Sequence, residues 1–532
     1  MSKIRDLFAK WAGSDQPGVA LAVAMGKDAP FEVHCVGTAD LSADRPITPQ
    51  SVFHYCSVSK LFTAAAWCVL AHRGEVDLDA PIAPLLPELP RADGITARSL
   101  LNMTAGLQDS EEVLCFANVL TRLPGIHRTW IAHALGNETR AFAPGAGSSY
   151  TNTHYILMSH ALERATGAAF GDAVRRLVLD PVGAGGIHLR SDPRQVTPHL
   201  ARGYVPTGDG SFADGLAFGF LGGGGFVGTL DDLCRFLGAF ARDDLQGVPI
   251  RSMMTRRPTL SNGTPTSYGL GCFVHPWRGL TVQGHNGGMA GYKTWAAFVP
   301  DLNWSIAFLS NRDDAQSSQH LRALLDIALQ GRASAPARPS IPDEARRALR
   351  RLEGEWMCPA TADHFTLSLE DSHIALNRMG FPSRLRACGG GVYADDWFTY
   401  TTVLRDLKDG TRLMLSTHGQ KERLYVRPAP EQKVPDELAG SYVAPDHGLH
   451  HRISVEDGEA HLHLCRNRWT APVFAVRPLG HDCYAIDRAR SGQGLRRGFR
   501  VMRDEDGRIS GLTYIGPRLH GLTLQASGNV AP

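Results

Sequence analysis

Two alternating apolar runs near the amino terminus, GVALAVAMG and FEVHCVGT, flank the turn KDAP and predict a β-hairpin. Four more strand-like runs, YGLGCFVHP, LTVQGH, YKTWAAFVP and WSIAFLS, gather around residue 300. A helical pattern over Ser317–Leu329 follows them. The long interval between these groups carries helical periodicity instead, at Leu61–Arg73, Arg98–Met103, Tyr155–Thr166 and Leu230–Phe240. A sheet fed from both ends, with a helical insert between, is an α+β arrangement and not a doubly wound one.

The pattern changes after residue 330. Two proline-rich joints, Gly331–Glu344 and Val426–Glu437, can continue neither a helix nor a central strand and read as linkers. The segments behind them are alike. Leu352-Glu-Gly-Glu-Trp356 matches Leu438-Ala-Gly-Ser-Tyr442, and LSLED at Leu367 matches ISVED at Ile453, both at one fixed offset. A constant offset over separate blocks predicts a duplicated unit. Its short alternating runs (HFTLSLE, GTRLMLS, EAHLHLC), broken by Gly, Asp and Asn, predict small antiparallel barrels or sandwiches. The expected organisation is the α+β domain over 1–332, a barrel over 343–428 and a second barrel over 436–532.

Composition narrows the function. A 532-residue chain with 43% hydrophobic and 20% charged residues is globular, and a net charge of +2 without basic runs gives no nucleic-acid or anionic-membrane partner. No run resembles a signal h-region or a transmembrane span, so a cytoplasmic protein is expected. Ten cysteines lie scattered without CxxC pairs, which predicts buried thiols and neither a metal site nor disulfides. Cys56, beside a serine of interest, alternates with it and points away from its face, which assigns it to core packing.

Candidate chemistry starts at HYCSVSKLFT. Ser57 and Lys60 stand three residues apart where an apolar helix begins, so their side chains share a face. A serine hydroxyl needs a base within hydrogen-bond reach to attack a carbonyl. The lysine can serve only if desolvated or set beside another cation, because a free amine is protonated at pH 7. The chain holds 8 lysines against 47 arginines, and this is its one S-x-x-K. A plain N-cap serine with a solvated lysine is the competing reading. Two further motifs bear on the choice. Tyr150-Thr-Asn152 follows a Pro/Gly loop and precedes a helix; His285-Asn-Gly287-Gly288 lies where a strand meets a glycine-rich bend. Tyr150 can move protons, Asn152 can bind both an amine and a carbonyl, and Gly287 and Gly288 allow close backbone approach, with the Gly288 N–H a candidate oxyanion donor.

These motifs, in this order, resemble the serine β-lactamase and penicillin-binding protein superfamily, in the branch whose second motif is Tyr-x-Asn. The resemblance spans residues 1 to about 330 and includes ITARSLLNMTAGL and FGFLGGGGFVGTLDDL. More narrowly, the chain is similar to bacterial D-aminopeptidases, which carry C-S-V-S-K, Tyr-x-Asn, His-x-Gly and two C-terminal antiparallel barrels. The resemblance implies an acyl-enzyme on Ser57, a carbonyl held by the N–H groups of Ser57 and Gly288, and proton traffic shared by Lys60 and Tyr150. It further implies Asn152 orienting Lys60 and substrate, His285 hydrogen-bonded to Tyr150, and no metal or cofactor. Histidine in place of a permanent cation at 285 predicts weak penicillin recognition. The implied substrate is a small peptide or amide with an N-terminal D-residue, and the implied assembly extends to a homodimer. An esterase, a D,D-peptidase and a ligand-binding protein with a vestigial serine site are the alternatives. A substrate ammonium calls for a nearby carboxylate. The expected barrel loop, Cys465–Phe474, offers Arg466 and Arg468 instead, while Asp109, Glu111 and Glu112 are the other candidate anions.

Overall fold

The computed structural model describes all residues except 1, 27, 117–139, 193, 216–221, 290, 330–342, 371–372, 380, 396–401, 408, 418–421, 430–432, 466–472, 490–496 and 528–532. Its first sheet has six antiparallel strands. The hairpin β1 (Val19–Met25) and β2 (Glu32–Val36) is joined by β3 (Phe273–Trp277), β4 (Leu280–Met289), β5 (Tyr292–Val299) and β6 (Trp304–Ser310). Their order, β3-β4-β5-β6-β1-β2, places the sheet's first strand in sequence beside its last, with Val19 opposite Ser310. Both faces of β1, β5 and β6 are buried, which is why they read as nearly continuous apolar runs. Behind the sheet, Phe8, Trp11 and Trp295 pack with Leu321, Leu324 and Leu325 of the helix Ser317–Leu329.

In front lies the helical insert, centred on α1 (Ser59–His72). All residues from Ser59 to Leu70 are buried, so the helix is apolar around its whole circumference, as a central core helix must be. Phe62 meets Phe226 and Phe236 edge-on at 5.6 and 4.9 Å, a geometry worth about 0.5–1.5 kcal/mol per pair beyond burial. Two further helices matter for the site: α2 (Ser110–Phe116) and α3 (Asn152–Thr166).

The duplicated segment forms two closed barrels of eight strands each. In each, alternate residues point inward, with Leu367 opposite Leu376 in the first and Ile453 opposite Leu462 in the second. The repeat extends to one hydrogen bond. Trp356 Nε1 donates to Leu352 O and Tyr442 O–H donates to Leu438 O, both at 2.8 Å, so the matched aromatic ties each barrel to its entry turn. The first proline-rich joint lies largely outside the described residues, and its last two positions start the helix Asp343–Arg350. Arg477 of the second barrel grips Glu355 of the first with two bonds of 3.0 and 2.8 Å. Val113 of α2 belongs to the second barrel's apolar core, so that barrel also packs against the catalytic domain.

Candidate active site

Ser57 lies in a single 3₁₀ turn, Cys56–Val58, directly ahead of α1. The turn is entered sharply: Cys56 has φ of +52°, and its N–H donates to Nδ1 of His54 at 3.1 Å. This left-handed residue lifts the next side chain out of the helix axis, and Ser57 is half-buried while its neighbours are buried. Cys56 itself is buried, and burial pushes its thiol up to about 12. It is a packing residue, not a thiolate.

Lys60 Nζ lies 3.2 Å from Ser57 Oγ, 2.8 Å from Asn152 Oδ1 and 2.5 Å from the Gly223 carbonyl. Its side chain is fully buried. Burial, and behind it the Arg518 guanidinium, hold the amine well below the usual lysine range. Two of its three neighbours can only accept. A neutral amine therefore gives its two hydrogens to Asn152 and Gly223 and turns its lone pair toward the Ser57 hydroxyl. The Gly223 carbonyl was not among the residues singled out from sequence, although the glycine run around it was. That run is required by space: a Cβ at Gly222, where φ is +69°, would lie 1.9 Å from the Tyr155 carbonyl.

Asn152 opens α3, and Asp109 sets its position. One oxygen of Asp109 caps α2 by accepting from the N–H groups of Glu111 and Glu112, at 3.0 and 3.2 Å, and the other accepts from Asn152 N at 3.0 Å. One buried carboxylate thus pins two helix starts together. The Asn152 amide is orientated by its partners, with Oδ1 toward Lys60 and Nδ2 donating to Glu111 Oε2 at 2.8 Å. Glu111 therefore stands at the site, and Asp109 holds the frame beneath it. Burial and the adjacent Asp109 charge raise the Glu111 carboxyl to about 6.

Tyr150 is buried under the same amine, its ring centroid 4.9 Å from Lys60 Nζ. His285 lies on β4, which continues straight through His285–Met289, so the expected glycine-rich bend is a strand. β3 pairs with β4 only as far as Gly284, and beyond that point the β3 side of the strand carries no described strand partner. Gly287 is pressed onto the nucleophile turn: a Cβ there would lie 2.2 Å from Thr294 Oγ1 and 2.7 Å from Tyr55 O. Gly288 follows on the open edge.

One expected contact is replaced. His285 Nδ1 faces Asn286 O at 2.5 Å and Nε2 faces the Tyr268 hydroxyl at 3.0 Å. A carbonyl at Nδ1 requires the proton there, so Nε2 accepts from Tyr268 O–H. The Tyr150 ring is 5.9 Å away, centroid to centroid. The imidazole is thus directed to Tyr268 and not, as expected, to Tyr150. The physical reason is the bend before β3. Gly269 N–H bonds to Cys272 O at 2.8 Å, and the loop so closed swings Tyr268 inward, where its ring packs edge-on to Phe273. Burial, and next to it the Lys60 charge, push His285 well below the usual imidazole range, so it is neutral.

Residues 5–330 match the β-lactamase family model. The chain belongs to the β-lactamase family. Over 494 residues it is 26% identical to a D-aminopeptidase of Cereibacter sphaeroides, an alignment covering 90% of this chain and 89% of that one. Two solved structures share its fold. The D-amino acid amidase of Ochrobactrum anthropi SV3 superposes with TM-score 0.52 at 21% identity, over 62% of this chain and 99% of the amidase. SurE superposes with TM-score 0.53 at 21% identity, over 99% of this chain and 98% of its own, so the likeness includes the barrels. Among the described residues of this family member, no helix is long and apolar enough to cross a membrane. No group of three His, Cys, Asp or Glu side chains there could hold a metal ion. The loop within Cys465–Phe474, expected at the cleft, lies at 466–472, outside the described residues. A described barrel residue that does reach the site is Arg518, which sequence reasoning missed: its guanidinium carbon is 5.0 Å from the Tyr150 ring centroid and its Nη1 is 3.8 Å from Glu111 Oε2.

Proposed function

We propose that this protein is a serine hydrolase that releases the N-terminal D-residue of small peptides or amides through an acyl-enzyme on Ser57. The observation that carries the reading is the buried Lys60 amine, with its hydrogens claimed by two acceptors and Ser57 Oγ 3.2 Å away. Lys60 takes the Ser57 proton as Oγ attacks the carbonyl. The oxyanion forms between the N–H groups of Ser57, in the first turn of its helix, and Gly288, on the open edge of β4. Tyr150, under the same amine, passes the proton to the leaving nitrogen and later accepts one from the hydrolytic water. Asn152 fixes Lys60, and His285 stays neutral behind the site and bonds to Tyr268. Glu111 supplies the negative charge that a substrate α-ammonium requires. The C. sphaeroides D-aminopeptidase, similar along nearly the whole chain, supports the substrate class.

Three units over 1–332, 343–428 and 436–532 and a homodimer belong to this reading, as does cytoplasmic residence, in keeping with nine described cysteines that are all unpaired. The test is twofold. A fluorophosphonate labels the wild type and not Ser57→Ala, and D-alanine p-nitroanilide is turned over faster than its L-enantiomer. Labelling with turnover of p-nitrophenyl butyrate alone would make the protein an esterase, and no labelling would leave the serine site vestigial.

A further inference from the structure

The last hairpin of the second barrel joins Ile509–Ile515 to His520–Ser527, and it is fastened to the catalytic domain on both sides of its tip. On one side, Gly516 leaves no space: a Cβ there would lie 2.5 Å from Glu112 Oε2 and 2.6 Å from Arg497 Cδ. Arg497 pairs with Glu112 at 3.0 Å. On the other side, the Gln108 amide donates to His520 O at 2.6 Å and accepts from His520 N at 3.0 Å. Ser149 Oγ lies 3.1 Å from His520 Nε2. With both flanks fixed, the tip aims Arg518 at the centre of the site. The Tyr150 ring then carries two basic side chains, the Lys60 amine at 4.9 Å and the Arg518 guanidinium at 5.0 Å, with Glu111 3.8 Å from the latter. An arginine stays charged, so of the two bases that share this ring the lysine is the one that sheds its proton.

We propose that Arg518, carried into the cleft by the second barrel, is a positioning residue for the Ser57–Lys60 pair and for Glu111. The inference rests on the reading of Ser57 and Lys60 given above. Arg518 touches no reacting atom and works through charge. Lys60 faces Arg518, Glu111, Asp109, the Cys56 thiol and the His285 imidazole. Glu111 faces Asp109, Glu112, Arg518 and the Asn152 amide. Of the described groups facing each, Arg518 is the one permanent cation. Its removal favours the protonated form of both Lys60 and Glu111, so the enzyme needs a higher pH to reach its working state. The barrel thus sets the pH at which the nucleophile switches on.

The test follows the rate of Ser57 labelling by an uncharged fluorophosphonate across pH, which needs no aminopeptidase substrate. In Arg518→Met and Arg518→Gln the acid limb moves upward by about one pH unit, an approximately tenfold slower reaction at a fixed pH on the limb. Arg518→Lys keeps the limb near its wild-type position. Gln108→Leu, which frees the hairpin without touching Arg518, moves the limb in the same direction and covers the case in which a neutral variant fails to fold. Coincident limbs for wild type and a folded neutral variant overturn the inference, as does an equal displacement in Arg518→Lys. A wild type that is not labelled at any pH removes the proposed function itself.

Discussion

Lys60 is the buried one among the described lysines. Its neighbours are two carbonyl oxygens, one hydroxyl and the faces of Tyr150 and Tyr155. Replacing it by methionine keeps the volume and removes the lone pair, and Ser57 labelling then falls about 10³-fold with the fold retained by circular dichroism. Glu111 makes a second, separable prediction. Glu111→Gln keeps a polar partner for Asn152 but removes the charge. KM for D-alanine p-nitroanilide rises about tenfold or more, while p-nitrophenyl butyrate, which has no ammonium, changes less than about twofold. Because the carboxyl titrates near 6, kcat/KM for the D-alanine substrate falls below that pH, and the variant loses this limb. At this scale the sequence was informative. Ser57, Lys60, Tyr150, Asn152 and His285 were all singled out because each has a side chain suited to proton transfer or amine binding at an element boundary. The partner of His285 was not legible, since Tyr268 sits at the head of a run that reads as strand and is bent inward by Gly269 and Gly271.

Among the elements, β4 and the nucleophile turn depend on one absent side chain. Gly287→Ala forces a methyl group into Thr294 Oγ1 and the Tyr55 carbonyl. The cost is about 3 kcal/mol, and the melting temperature drops by about 3–5 °C with labelling reduced in parallel. A melting curve unchanged from wild type would show that the strand can withdraw from the turn. The strands and helices themselves were visible in the hydrophobic pattern, with Ser317–Leu329 and Trp304–Ser310 matching to the residue. What the pattern hid was local. His285–Met289 reads as a bend because three of its five positions are glycine or asparagine, residues usually found in turns, yet pairing with β5 keeps it extended. The barrels read equally as sandwiches, because alternation fixes which face is buried and not whether a sheet closes on itself.

For the whole molecule, the contact between the catalytic domain and the second barrel holds an imidazole, which makes it sensitive to acid. His520 lies between the catalytic domain and the second barrel, where burial, and after it Arg378 and Arg423, push its imidazole down to about 3; burial alone does the same to His154 within α3. Folded values below the unfolded one mean stability that is complete above about pH 6.5 and lost as pH falls toward 3. The unfolding free energy therefore declines below pH 6.5 by up to roughly 1.4 kcal/mol per pH unit for each imidazole. His520→Gln makes the decline shallower in urea titrations, and an unaltered slope would remove His520 from this role. The duplication and the three-part organisation could be read from one fixed offset and two proline-rich joints. The contact between the last hairpin and the catalytic site could not, since nothing in the local pattern around Arg518 refers to residues so far upstream, whereas Cys465–Phe474 stands out between two strand patterns.

The Gln108–His520 clasp joins positions 412 residues apart. A ribosome has therefore made the nucleophile, its amine and the whole helical insert long before it delivers the arginine that completes their surroundings. Growing chains and prematurely terminated fragments carry the serine without its final neighbour. Such a chain holds its serine and amine without the permanent charge beside them, so its nucleophile needs a higher pH than that of the protein with its second barrel in place.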